Sequence, residues 1–427
     1  MNEKAPPRRG QFGRGRRTTE RQLERCAGLD VHRDTVAACV RVPGRGGHRE
    51  QYVQTFGTTA AELLRLREWL EGHGVTDVAM ESTGVYWKPI YYVLEEAFTC
   101  LLVNAAHIKQ VPGRKTDVQD CVWIGQLLEH GLLRSSFVPP VPIRELRDLT
   151  RYRKGLIQER QREANRLHKV LQDAGIKLAS VATNILGVSG RAMLEALVGG
   201  TTAPEVLAEL ARGKLRAKLP ALREALAGRF RPHHAFFVTQ ALAHLDYLDE
   251  AIDTVSTEIE RLLSPFAEAR RRLSTIPGIK TRTSEVIIAE IGVDMSRFPS
   301  EHHLASWAGL CPGNNESAGK HKAGTTRKGN RWLRMALIEI ALAAIRTKDA
   351  AFGARYRRVM RHRGHKKAVV AVAHSLLRTI YHVLAESTDY RESGAAYYDR
   401  RQAARTTRRA VAQLERLGYR VSLEPAA

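Results

Sequence analysis

Cysteine is scarce: Cys26, Cys39, Cys100, Cys121 and Cys311 are odd in number, scattered, and never form a CxxC pair. That excludes a disulfide framework and a thiolate zinc site, and it fits a reducing cytoplasm. No apolar signal core opens the sequence. Its most apolar run, 368–384, is interrupted by His374, Ser375, Arg378 and His382, so it reads as a buried helix and no membrane partner is expected. Acids are also in deficit, 45 Asp plus Glu against 68 Lys plus Arg, leaving a net charge of +23. An excess of this size points first to a polyanionic partner, because every neutralised phosphate releases condensed counterions. A cationic surface serving solubility is the blander explanation. With 43 % apolar residues in 427, there is ample material for more than one core.

Residues 1–25 carry Arg8, Arg9, Arg14, Arg16 and Arg17 and almost nothing to bury, which predicts a disordered basic arm. From Cys26 the pattern alternates. Residues 26–30 and 36–42 read as strands joined by a polar turn; a helix follows at 60–71, a strand at 77–81, a helix at 86–97 and a strand at 100–103. This predicts an α/β domain over 26–142, ending in the proline-rich 139–142. A helical region is expected over 143–268, opened by a long charged helix at 143–175. Within it Val238, Leu245, Ile252 and Ile259 are spaced by seven, as are Ala241, Leu248, Val255 and Leu262. That repeat predicts a coiled coil over 236–263, with its partner helix in the same chain or another one. A surface helix packing on its own domain is the alternative. A mainly α domain is expected over 269–390, with helices at 284–292, 331–347 and 366–386, followed by a basic tail at 391–427.

Four acids stand out. Asp30 ends the first expected strand and Glu81 a later one; Asp117 and Asp120 precede an apolar helical run. Carboxylates at strand ends occupy the crevice where an α/β sheet places ligands, and residues three apart share a helix face. Alone, Asp30 fits a hairpin turn, Glu81 a surface acid and Asp117 a helix N-cap. Together they would repel one another unless they hold divalent cations. Oxygen donors suit Mg²⁺ or Mn²⁺, and two such ions about 4 Å apart can stabilise the attacking and leaving oxygens of a phosphodiester.

The stretches Gly28-Leu-Asp-Val-His-Arg-Asp34, Met80-Glu-Ser-Thr-Gly84 and Lys115-Thr-Asp-Val-Gln-Asp120 resemble the DEDD transposases of bacterial insertion sequences, the IS-one-ten and IS-eleven-eleven type. The resemblance runs from about Cys26 to about Glu386. It implies a RuvC-like, RNase-H-like N-terminal domain in which Asp30, Glu81, Asp117 and Asp120 are the metal-binding acids.

Leu273-Ser-Thr-Ile-Pro-Gly-Ile-Lys280 resembles a helix-hairpin-helix turn, with Lys280 where many relatives carry a second glycine; an ordinary helix–helix loop fits equally well. Residues 305–334 resemble the family's C-terminal signature, which implies that Ser317 attacks DNA and forms a phosphoserine link. A serine hydroxyl needs help to act so. No His–Asp pair accompanies it, so the acids and their metals are the expected activators in a composite site. Without the resemblance, Ser317 would read as a turn residue. Lys280, Lys320, Lys322, Arg327, Lys328, Arg331 and Arg334 are expected nucleic-acid contacts, as is the basic run from Arg355 to Lys367.

The expectation is therefore a cytoplasmic, nucleoid-associated DNA transposase. Donor and target duplexes would be its substrates, Mg²⁺ or Mn²⁺ its cofactor, and a dimer or tetramer its working form. The resemblance also implies a guide RNA, called bridge or seeker RNA. Rivals are a metal-dependent junction-resolving nuclease, a site-specific DNA invertase, and a non-catalytic nucleic-acid-binding protein on a retired nuclease scaffold.

Overall fold

The computed structural model describes residues 22–104, 120–312, 316–317, 320–321, 326, 328–348, 350–392, 394 and 397–423. The chain divides into two compact units, Met1–Val138 and Pro139–Ala427.

The first unit is built on five strands: β1 (Cys26–Val31), β2 (Thr35–Pro43), β3 (Arg49–Gly57), β4 (Asp77–Glu81) and β5 (Thr99–Val103). Their order is β3-β2-β1-β4-β5. The first three strands form an antiparallel meander, whereas β1, β4 and β5 run parallel. This mixed sheet fits the expected RNase-H-like α/β domain. The parallel strands are linked through α1 (Ala60–Gly72) and α2 (Trp87–Leu94), as parallel neighbours require. Side chains alternate between faces along each strand. Ala27, Leu29 and Val31 join the core that contains Leu63, Leu66 and Leu70 of α1 and Ile90 and Leu94 of α2. Cys26, Ala79 and Val103 face the other way, onto Ile124, Leu127 and Leu128 of α3 (Asp120–Glu129).

The second unit is helical. α4 (Val141–Asp173) begins at the expected proline-rich boundary, with Pro142 in its first turn. α5 (Leu178–Val181), α6 (Val188–Val198), α7 (Pro204–Glu209) and α8 (Leu219–Leu226) lead into α9 (Pro232–Leu263). α4 and α9 run antiparallel. Arg153 meets Ser256, Arg160 meets Asp249, His244 meets Glu163 and His234 meets Asp173, so one number falls as the other rises.

Val238, Leu245, Ile252 and Ile259 are all buried. Leu248 and Ile252 pack on Leu156, while Val238, Ala241, Leu242 and Leu245 share a core with Leu167 and Leu171. The seven-residue repeat of α9 thus has its partner in α4 of the same chain.

The remainder comprises α10 (Ala267–Ser274), α11 (Thr281–Ile291), α12 (Glu301–Trp307), the two-residue strands β6 (Glu316–Ser317) and β7 (Lys320–His321), α13 (Arg331–Ala344), α14 (Ala351–Arg363), α15 (His365–Ala385) and α16 (Tyr397–Arg416). α15 is long and apolar enough to cross a membrane. It instead buries Val372, Leu376 and Ile380, as expected of a core helix.

Candidate active site

In the first unit, Asp30 and Glu81 are brought together by strand register. Leu29 is the cross-strand partner of Met80, and the parallel pairing puts the next residues, Asp30 and Glu81, at the carboxyl ends of neighbouring strands. Neighbouring strands lie about 4.8 Å apart. Asp30 shares its face with Cys26 and Gly28, and Glu81 shares its face with Ala79, so both carboxylates are on the side covered by α3.

Asp120 opens α3, and Gly28 explains how close that helix comes. A methyl group on Gly28 would overlap the Cys121 carbonyl oxygen and the Gly125 amide nitrogen, so only glycine lets helix and strand touch here. The far end of α3 is fastened by Glu129, only 1 % exposed, which pairs with Arg41 Nε at 2.6 Å and Arg49 Nε at 3.0 Å from β2 and β3. With Glu129 locked there, the first turn of α3 points back toward Asp30. The Cys121 thiol reports the result: burial pushes its pKa up, and the negative charges of Asp30 and Asp120 raise it further.

Asp30 has 18 % of its side chain exposed and lies 3.1 Å from His32 Nε2 through Oδ2. Among the described residues, then, Asp30, Glu81 and Asp120 gather at one end of one face. Asp117 lies outside the described residues. Carboxylates of this kind offer hard oxygen donors of the sort a divalent cation takes. Sequence reading quoted Gly28 and His32 within the motif but gave neither a role of its own, and it passed over the Arg41–Glu129–Arg49 lock. Only the His32 spacing from Asp30, two residues across a turn, was a local signal.

In the second unit, Ser317 lies in β6 and is the antiparallel partner of Lys320 in β7. Pro312 and Thr326 form a further bridge. Lys322 and Arg327 lie outside the described residues. Arg334 is half-buried and donates to the Gly309 carbonyl at 3.3 Å and to Thr326 Oγ1 at 2.9 Å, so its guanidinium ties down the base of this segment. Lys280, Lys328 and Arg331 are exposed.

The turn at 275–280 joins α10 to α11. Gly278 has φ +87°, and a methyl there would sit 2.6 Å from the Ile340 carbonyl oxygen, so the turn lies directly on α13. Lys280 has extended backbone, φ −124° and ψ 178°, which needs no glycine. Its N–H donates to Thr283 Oγ1 at 2.8 Å, capping α11.

Glu290, fully buried, accepts a two-point contact from Arg151 at 2.8 Å in each arm and one from Asn330 at 2.6 Å. Asn330 in turn caps α13 through the Trp332 and Leu333 N–H groups. A second candidate cluster, Asp173, His233 and His234, brings its ligand atoms within 4.8 Å. His234 Nδ1 accepts the Arg231 N–H at 3.0 Å, leaving its proton on Nε2, which faces Asp173 at 2.9 Å. A metal at Nε2 would force that proton onto Nδ1, against a donor, so the trio locks the start of α9.

A five-stranded mixed sheet with acids at the ends of two neighbouring parallel strands fits an RNase-H-like DEDD domain. Comparison with known proteins agrees. Residues 27–176 match the family model of DEDD transposases of the IS110 type, described as "Transposase". Residues 270–357 match the model described as "Transposase IS116/IS110/IS902 family". The chain belongs to the IS110-type DEDD transposase family.

The chain is 31 % identical over 119 residues to "Insertion element IS110 uncharacterized 43.6 kDa protein" of Streptomyces coelicolor, covering 28 % of this chain and 29 % of that one. It is 26 % identical over 244 residues to "Transposase for insertion sequence element IS1328" of Yersinia enterocolitica, covering 56 % and 63 %. It is 29 % identical over 153 residues to "Pilin gene-inverting protein" of Moraxella bovis, covering 34 % and 47 %. In each case the match spans less than two thirds of the relative's length.

Proposed function

We propose that this protein is a DNA transposase of an insertion sequence, cutting and rejoining duplex DNA with Asp30, Glu81, Asp117 and Asp120 as metal-binding acids and Ser317 as nucleophile. The observation that carries the reading is the placement of Asp30 and Glu81 at the ends of neighbouring parallel strands, on the face where Asp120 opens α3. Held by these carboxylates, Mg²⁺ or Mn²⁺ would supply charge neutralisation at the scissile phosphate.

The chain's own groups do the rest. Ser317 Oγ bonds to phosphorus while one DNA oxygen leaves as a hydroxyl, taking up a proton in place of the one the serine gives up. The phosphoserine ester conserves the bond energy. Attack by a DNA hydroxyl on that ester rejoins the strand and restores Ser317. Lys320, the backbone partner of Ser317, and Lys280, Lys328 and Arg331 favour the phosphate by charge.

The net charge of +23 supports DNA as partner and accommodates a guide RNA as well, and the cytoplasmic nucleoid is the place of action in this reading. Self-association is part of the proposal. Phe236 and Tyr247, each 62 % exposed, lie eleven residues apart on the outer side of α9 and offer an apolar face to a second copy. The match to a pilin gene-inverting protein favours a second reading of the same chemistry, inversion of a DNA segment instead of transposition.

The test is strand cleavage in Mg²⁺ by Asp30→Asn and Glu81→Gln beside the parent. Loss of cleavage with DNA binding retained supports the acid site. Parental cleavage by either variant removes it from the mechanism.

A further inference from the structure

A cavity of about 210 Å³ lies between α4, α11 and α13. Its wall includes Ile157, Val286 and Met335, with Trp332 alongside. The Arg151 guanidinium lies 5.7 Å from the Trp332 ring centroid and the Arg331 guanidinium 5.9 Å from it. The volume is below the roughly 300–1,000 Å³ of pockets that hold drug-sized ligands, so it suits a single ring system.

The charges around it are unevenly settled. Arg151 answers Glu290 and Lys154 answers Glu339, each at 2.8 Å, while Arg153 answers Glu285. Arg282, in the first turn of α11, lines the cavity and is exposed, and Arg331, in the first turn of α13, is exposed next to Trp332 in the chain, against whose ring it lies. An apolar, aromatic pocket with cations beside it is complementary to a flat heteroaromatic ring that carries phosphates on either side.

From this geometry we propose that the cavity binds an unpaired nucleobase of a single nucleic-acid strand, with the Trp332 indole and Arg151 guanidinium contacting the ring and Arg282 and Arg331 the flanking phosphates. Aromatic and guanidinium planes receive splayed-out bases in this way, and every base presents a π-face. The proposal rests on the reading of the protein as a nucleic-acid enzyme and adds a strand-binding site built from the second unit alone. No bond is made or broken here, so its test is equilibrium binding and not cleavage.

The experiment measures binding of hexathymidylate, hexauridylate and an abasic hexamer to the parent, Trp332→Ala and Trp332→Phe, each checked for its melting temperature. Trp332→Ala is expected to weaken one or both base-bearing hexamers about ten-fold, and Trp332→Phe to keep most of the affinity. The abasic hexamer should bind the parent as weakly as the base-bearing hexamers bind Trp332→Ala. The arm that shows the loss, DNA or RNA, names the strand. Should Trp332→Ala fold poorly, the parent's preference for base-bearing over abasic hexamers, together with Trp332→Phe, carries the test. Unchanged affinity of Trp332→Ala in both arms, or equal binding of abasic and base-bearing hexamers by the parent, overturns the proposal. Cleavage of duplex donor DNA by the parent would survive that result.

Discussion

Asp30 and Glu81 each stand one residue beyond Leu29 and Met80, cross-strand partners at the carboxyl ends of two neighbouring parallel strands. In the proposed mechanism, two carboxylates so placed act as one site. Asp30→Asn, Glu81→Gln and the double variant are therefore expected to lose cleavage to the same floor, because groups that work as a unit are not additive. Equal stepwise losses, multiplying in the double variant, would show two independent contributions. Binding to duplex DNA should persist in all three, since the affinity comes from distributed Lys and Arg charge.

The placement of α3 depends on a buried ion pair far from the acids. Glu129→Ala leaves Arg41 and Arg49, with 11 % and 9 % side-chain exposure, without their shared carboxylate. The expected cost is about 3–5 kcal/mol of stability, measured by denaturant unfolding, with cleavage falling as Asp120 loses its position. Gly28→Val should misplace the same helix, because its side chain overlaps backbone and not a movable side chain. Parental stability in Glu129→Ala would mean that α3 is held by its apolar face alone.

Much of this arrangement was legible beforehand, for identifiable reasons. Asp30 and Glu81 stand out because each closes an apolar strand, and Asp120 because it precedes an apolar helical run. β3 was missed: only Phe56 of its nine residues is buried, so no alternation marks it. Charged residues along such an outer strand read as loop. The helices α5 to α8 are four to eleven residues long, too short for a periodic signal. The Glu129 lock joins residues 88 and 80 apart in sequence, beyond any local pattern. Ser317 is singled out by family resemblance alone, since a two-residue strand carries no periodicity of its own.

The buried and half-buried thiols give the first unit a pH limit. Burial pushes Cys26 up to about 11 and Cys39 and Cys100 up to about 12, from an ordinary value of 9.0. In the unfolded chain these thiols ionise earlier, so the folded state binds protons more tightly. The stability this confers is present below pH 9 and is lost as pH rises toward 11–12. Alkaline unfolding followed by circular dichroism should begin in that window, and Cys39→Ser should alter its onset. Thiol labelling of the native protein at pH 8 should be slow at Cys26 and Cys39, both fully buried. Rapid labelling at either would show that the sheet opens.

The two sides of α9 should respond differently. Leu245→Ala and Ile252→Ala empty the interface with α4 and are expected to cost about 2–5 kcal/mol each, with unfolding as the consequence. Phe236→Ser with Tyr247→Ser changes exposed residues and should leave stability near the parent while lowering the mass seen by light scattering. A parent of monomeric mass would remove self-association from the account, and the antiparallel pair of α4 and α9 would stand unchanged.

The most direct test of the central claim is to incubate the protein with end-labelled donor DNA, a guide RNA and Mg²⁺, denature it, and ask whether label migrates with the polypeptide. The account predicts an adduct in the parent that maps to Ser317 by mass spectrometry, and none in Ser317→Ala or Asp30→Asn. Cleavage by Ser317→Ala with free DNA ends, or an adduct on another residue, would contradict it.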